Sequence, residues 1–239
     1  MEQHAIDSIL GANLASLRAR IDARCRACGR DPAGVLLLPA TKYAGIAVLR
    51  ALAGLGVRAF GENQVLDAER KAAALAPGIE FHMIGHLQRN KVARALRLFR
   101  AIHSVDSLRL AEELDRRAAG CSVRALIEVN VGGDERKCGF APGDAIPAME
   151  AMRAFPSLRI EGFMTVPPFE TDPARVRPFF RALARLGDEA RRRGLGDGRL
   201  ATLSMGMSND FETAIEEGAT IVRIGSALFA GLDAEALAG

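Results

Sequence analysis

Short apolar runs alternate along the chain with longer segments whose apolar residues recur every three or four positions; the first pattern signals strands and the second signals helices. The runs predict strands at residues 35–40, 58–61, 80–85, 101–104, 123–131, 159–166, 200–204 and 220–224. The amphipathic segments predict helices at 46–55, 64–75, 88–99, 108–119, 145–155, 174–193 and 210–217, with an opening helix at 7–29 and a short last one after Ser226. A strand followed by a helix, repeated eight times, implies parallel strands joined by right-handed crossovers. The expected fold is a single α/β domain over residues 1–239, a (β/α)8 TIM-type barrel with an extra N-terminal helix. An open doubly wound sheet is the competing architecture, but no G-x-G-x-x-G follows the first strand. The unbroken apolar run Val35-Leu36-Leu37-Leu38 fits a strand buried on both faces.

Composition narrows the function classes. Of 239 residues, 49% are hydrophobic and 26% charged, as in an ordinary globular protein. The net charge of +3 is spread with alternating sign, so nucleic acid is not an expected partner. Arg191, Arg192 and Arg193 fall where a helix ends, and cations suit that end of its dipole. No apolar run is long enough for a membrane span and no signal peptide opens the chain, so a cytoplasmic location is expected. Four cysteines do not make a disulfide framework, and Cys25 and Cys28 lie on one predicted helix without a further ligand pair for zinc.

In a barrel of this kind, chemistry sits at the C-terminal ends of the strands. Thr41, Lys42 and Tyr43 follow the first strand; Glu62 and Asn63 the second; His86 the third; Asp106 the fourth. Asn130 stands near the end of the fifth strand and Met164 in the sixth. The last two strands lead into Ser204-Met205-Gly206-Met207-Ser208 and Arg223-Ile224-Gly225-Ser226. Barrels often hold a phosphate between these two loops, using backbone N–H groups and small residues. The same glycines and serines also suit tight turns and helix caps, so both readings stand. Lys42 is one of only four lysines among 32 basic residues, which suggests that an amine is needed there. It could form a Schiff base with an aldehyde, or pair with Glu62. An amine and a phosphate cradle around one mouth match pyridoxal 5'-phosphate, and Arg223, two residues before Gly225, could reach its ring nitrogen. An arginine there only donates, which would weaken the cofactor as an electron sink.

His82 and His86 suggest a metal pair only at helical spacing; at strand rise they lie about 13 Å apart. No metal site is expected from them. Tyr43, the single tyrosine, should leave the strand on the side opposite Lys42 by alternation.

Several segments together are specific: Ala40-Thr41-Lys42, Phe60-Gly61-Glu62-Asn63, the run from Phe81 to Lys91, Lys137-Cys138-Gly139-Phe140, Gly162-Phe163-Met164-Thr165, Leu203 to Ser208, and Val222 to Ser226. In order and spacing they resemble the pyridoxal phosphate homeostasis proteins (the YggS/PROSC family), whose fold looks like the barrel domain of alanine racemase without its β-domain. The resemblance implies Lys42 as the Schiff-base lysine and Arg223 toward the ring nitrogen. It puts Ser204, Gly206, Gly225 and Ser226 about the phosphate, with Asn63 and Met164 flanking the cofactor. It further implies a carrier that maintains intracellular pyridoxal phosphate without established turnover and with apo-enzymes as recipients. The chain departs from the family at Cys138, where serine is usual, and at Asn209, where aspartate is usual.

No catalytic residue is assigned on this reading. The alternative is a weak amino-acid racemase; an isomerase or aldolase for a sugar phosphate is a further one. The racemase's opposing tyrosine and second domain have no counterpart in this sequence, so a non-enzymatic monomer is expected.

Overall fold

The computed structural model describes residues 2–134, 136–196 and 200–238. The strands are β1 (Leu36–Pro39), β2 (Ala59–Glu62), β3 (Glu80–Met83), β4 (Phe99–Val105), β5 (Val123–Glu128), β6 (Leu158–Met164), β7 (Thr202–Ser204) and β8 (Ile221–Ile224). All pair in parallel in the order β1-β8-β7-β6-β5-β4-β3-β2. A single bridge, Ala40 to Gly61, joins β1 to β2 and brings the sheet round into a nearly closed barrel. The expected α/β barrel is therefore the observed fold, and each predicted strand is present with its ends shifted by a few residues.

Helices cover the outside: α1 (Gln3–Ala27), α2 (Ile46–Gly54), α3 (Val65–Ala73), α4 (Val92–Leu98), α5 (Leu108–Ala118), α6 (Pro142–Met152), α7 (Pro173–Arg192), α8 (Phe211–Glu216) and α9 (Ala234–Ala238). Helix α6 begins three residues before its predicted start, because Pro142 occupies the first turn, where a missing N–H costs nothing. The end of α4 is also earlier than predicted: Phe99 already belongs to β4.

The extra helix α1 buries Ile6, Leu10, Leu14, Leu17, Ile21 and Cys25, one stripe at three- and four-residue spacing. Each such side chain contributes about 1.5–3 kcal/mol when taken from water. The stripe packs α1 against α2 and α8, and Arg24 pairs with Glu216 at 2.6 Å. Cys25 is thus a core residue and Cys28 an exposed cap, which fits the structural reading of that pair. Among the described residues no helix is long and apolar enough to cross a membrane.

Candidate functional site at the barrel mouth

Lys42 leaves the barrel in the turn after β1 and is exposed, with its ammonium 4.8 Å from the centre of the Tyr43 ring. This corrects the expectation that Tyr43 points away: strand geometry ends at Pro39, so alternation no longer governs the two side chains. The ion pair considered for Lys42 is not formed, because Glu62 has another partner. Its carboxylate accepts from Lys71 Nζ at 2.7 Å and from the Thr41 hydroxyl at 2.6 Å. Lys71 also donates to the Thr41 carbonyl at 2.8 Å and pairs with Asp67 at 2.6 Å. Burial opposes ionisation of Asp67, but hydrogen bonds from Lys71 and Arg70 hold its carboxyl below the usual range. Lys71 is 1% exposed and committed to three acceptors, whereas Lys42 has no carboxylate partner among the described residues.

The barrel interior is polar along one line, which the sequence reading missed. His103 on β4 meets His82 on β3 at 3.0 Å and the Ser204 hydroxyl on β7 at 3.1 Å. Since β4 and β7 are three places apart in the sheet, that second bond crosses the interior. Arg223 donates to the Ser204 carbonyl at 2.6 Å, to its hydroxyl at 2.8 Å and to the Thr165 carbonyl at 2.7 Å. The one arrangement that uses every proton runs from Arg223 to Ser204 Oγ, from its O–H to His103 Nδ1, and from His103 Nε2–H to His82 Nδ1. Both histidines are neutral. Burial and the nearby Arg124 and Arg100 push His82 down to about 4, and burial with His82 and Arg223 holds His103 well below its ordinary value. Burial also lowers Arg223 to about 10, leaving it a cation at neutral pH. The period-two placement of Arg124 and Glu128 on β5 was the available signal for a polar interior.

Glu128, at the end of β5, is a further residue the sequence reading missed. Burial raises its carboxyl to about 7, and the negative charge of Asp106 adds to the shift. Met164 is buried at the end of β6, in register with Glu128 and Ser204. Asn63 packs against Gly85, where a Cβ would come within 2.8 Å of the Asn63 Cα. His82 and His86 do not act together: His82 is inside on His103, while His86 is at the rim on Asp106 at 2.7 Å.

The loops after β7 and β8 lie side by side. The amide of Ala227 donates to the Ser208 hydroxyl at 3.1 Å, and the Gly206 carbonyl accepts from the Arg223 amide at 2.9 Å. Gly206 has φ 93°, and a Cβ there would meet the Ala214 Cβ at 2.6 Å, so only glycine makes this turn. Among the described residues the amides of Gly225 and Ser226 make no backbone hydrogen bond. These unpaired donors, beside a glycine turn and two residues after a fixed arginine, suit a phosphorylated pyridine; the Ser204 hydroxyl serves Arg223 in this arrangement. A separate cavity of about 600 Å³ opens at the other end of the barrel, lined by Leu36, Glu80, His82 and Arg124. It touches only the far end of the histidine line.

The family profile described as alanine racemase, N-terminal domain, matches residues 12–233. The pyridoxal phosphate homeostasis protein of Aquifex aeolicus is 42% identical over 90% of this chain and 95% of its own length. That of Pseudomonas aeruginosa is 41% identical over 95% of this chain and 97% of its own. PipY of Synechococcus elongatus PCC7942, solved with PLP bound, superposes with a TM-score of 0.81 at 34% identity, covering 92% of this chain and all of that one. The chain belongs to the pyridoxal phosphate homeostasis protein family, built on the barrel of the alanine racemase N-terminal domain.

Proposed function

We propose that this protein carries pyridoxal 5'-phosphate, bound covalently at Lys42, and so maintains the intracellular supply of the cofactor without catalytic turnover. The observation that carries the reading is the division of labour between two lysines: Lys71 is buried and fully paired, whereas Lys42 stands at the mouth with no carboxylate partner. The relatives' names and the PLP-bound neighbour support the ligand class. When bound, the cofactor supplies an aldehyde that a free amine captures reversibly.

The chain's own residues then hold the rest of the molecule. Gly206, Gly225 and Ser226 offer backbone donors and space to the phosphate, with Ser204 beneath them. Arg223, fixed by Ser204 and Thr165, would hold the pyridine nitrogen with a charged N–H and keep a proton off it. Asn63 and Met164 flank the ring. A monomer in the cytoplasm, releasing the cofactor to apo-enzymes, completes the reading.

Borohydride reduction of the loaded protein, digestion and mass spectrometry test it. The pyridoxyl label is expected on the peptide holding Lys42 and absent from Lys42→Ala; a label on Lys71, or none, overturns the assignment. One observation favours the second reading, a weak amino-acid racemase. Glu128, with its carboxyl raised to about 7, could hold or move a proton at the mouth. Sustained exchange of the Cα proton of L-alanine in deuterium oxide, lost in Glu128→Gln, would replace the carrier with an enzyme.

A further inference from the structure

On the wall of the mouth opposite the β7 and β8 loops, three side chains from three different loops converge. His86 follows β3, Asp106 follows β4, and Cys138 lies in the loop after β5. Their ligand atoms all lie within 4.8 Å of one another. Asp106 Oδ2 is 2.7 Å and Cys138 Sγ 3.5 Å from the same atom, His86 Nδ1.

We infer that His86, Asp106 and Cys138 form a binding site for a borderline-soft divalent cation, zinc(II) in the first place, with one coordination position left open. Imidazole, carboxylate and thiolate are the donor types that zinc takes, and three protein ligands with an open fourth position is the arrangement of its reactive sites. Bond lengths of about 2.0–2.3 Å in a tetrahedron separate neighbouring ligand atoms by about 3.3–3.7 Å. The sulfur and nitrogen already stand at that separation, and the Asp106 oxygen must withdraw from the nitrogen by well under 1 Å. The cation would replace the present hydrogen bond between His86 Nδ1 and Asp106 Oδ2.

The backbone under each ligand is fixed. Gly85, next to His86, packs so closely on Asn63 that a Cβ would meet the Asn63 Cα at 2.8 Å. The other oxygen of Asp106 accepts from the Ser107 hydroxyl at 3.1 Å, the outer contact that orients a ligating carboxylate. Ser107 is itself held as the N-cap of α5 by the amide of Leu110. The Cys138 loop is pinned two residues on, where Phe140 exchanges hydrogen bonds with Glu128 and Asn130 at 2.8 and 2.9 Å. Gly139, at φ 112°, lets the chain turn there. On binding, the Cys138 thiol gives its proton to the buffer, and His86 binds through Nδ1 as the neutral tautomer with its one proton on Nε2, any second imidazole proton also passing to the buffer. A water or an anionic ligand would complete the shell at the open position.

The site rests on the chain's own donors and is independent of the cofactor reading. Cobalt(II) is the probe, added to the full chain in a Cys28→Ser, Cys121→Ser background so that the other exposed thiols do not compete. The expected result is one cobalt per chain, with a thiolate-to-metal charge-transfer band and the strong visible bands of tetrahedral cobalt, displaced by zinc. Cys138→Ser should abolish the charge-transfer band. His86→Ala and Asp106→Asn should each weaken binding at least about tenfold, the loss that even an outer contact gives a metal site. All three side chains are at the rim, and circular dichroism should show the variants folded. Absence of the band in the parent protein, or its persistence in Cys138→Ser, overturns the proposal.

Discussion

Arg223 and Ser204 are joined twice, the same guanidinium nitrogen donating to both the serine carbonyl and its hydroxyl, at 2.6 and 2.8 Å. This pairing puts a buried cation at a fixed point under the mouth and connects it through His103 to the middle of the barrel. Ser204→Ala removes an acceptor from Arg223 and a partner from His103, leaving buried polar groups unpaired. Stability is expected to fall by about 1–3 kcal/mol, read from the urea midpoint at unchanged slope. On the proposed function, the adduct at Lys42 should persist with an altered absorption band as the guanidinium loses its registration.

The two interior histidines make the fold sensitive to acid. Burial holds His82 at about 4 against the ordinary 6.5, so the unfolded chain binds a proton there more readily than the folded one. The stability this contributes is complete above pH 6.5 and is lost as pH falls toward 4. For His82 alone it amounts to roughly 3 kcal/mol. His103, also held neutral by burial, acts with the same sign. Unfolding free energies measured between these limits should decline on acidification, and His82→Gln should flatten the decline.

Glu128 works against that trend. Its carboxyl rises to about 7 from 4.5, chiefly by burial, so the folded state holds the proton better than the unfolded one. Ionising it removes stability as pH rises through this window. Glu128→Gln should therefore match the parent near pH 4.5 and exceed it by roughly 2–3 kcal/mol above pH 7, with some of the effect screened by solvent. In that background the histidine decline should also become steeper, which denaturation curves at several pH values would show.

Lys71→Met leaves the Glu62 carboxylate buried without its cation, while one of its oxygens already has no partner. A loss of about 3–5 kcal/mol is expected, measured by thermal or urea unfolding. Lys42→Met, by contrast, should change stability by less than about 0.5 kcal/mol, since its side chain is exposed and pairs with no carboxylate.

Gly206→Ala should lower affinity for inorganic phosphate and destabilise the chain. The new Cβ would stand 2.6 Å from Ala214 at a φ of 93°, forcing the turn between β7 and α8 to move. Titration with phosphate, followed by thermal shift, distinguishes this from a purely structural loss: the parent is stabilised by the ion and the variant is not.

The outline of the barrel was legible because strands covered by helices write continuous apolar runs, as Val35 to Leu38 does. The ring of loop residues was legible for the same reason, since each run's end marks a place at the mouth. The interior was not. His103 lies within a stretch that reads as a short buried strand, and its partners His82, 21 residues before it, and Ser204, 101 after it, share no local pattern with it. Glu62 was visible as a loop residue, but its partner Lys71 looked like an ordinary helical cation, because only the packed α3 turns that lysine inward. The wrong side for Tyr43 came from extending strand alternation beyond Pro39, where the chain has already turned.

Among the described residues the bridge from Ala40 to Gly61 is the one backbone rung between β1 and β2, and the Glu62–Lys71–Thr41 cluster sits directly beside it. The ring is therefore fastened at this seam largely by charge, where most other neighbours are fastened by a ladder. Lys42 directly follows Thr41, so whatever loosens the clasp also frees the turn that carries the Lys42 amine.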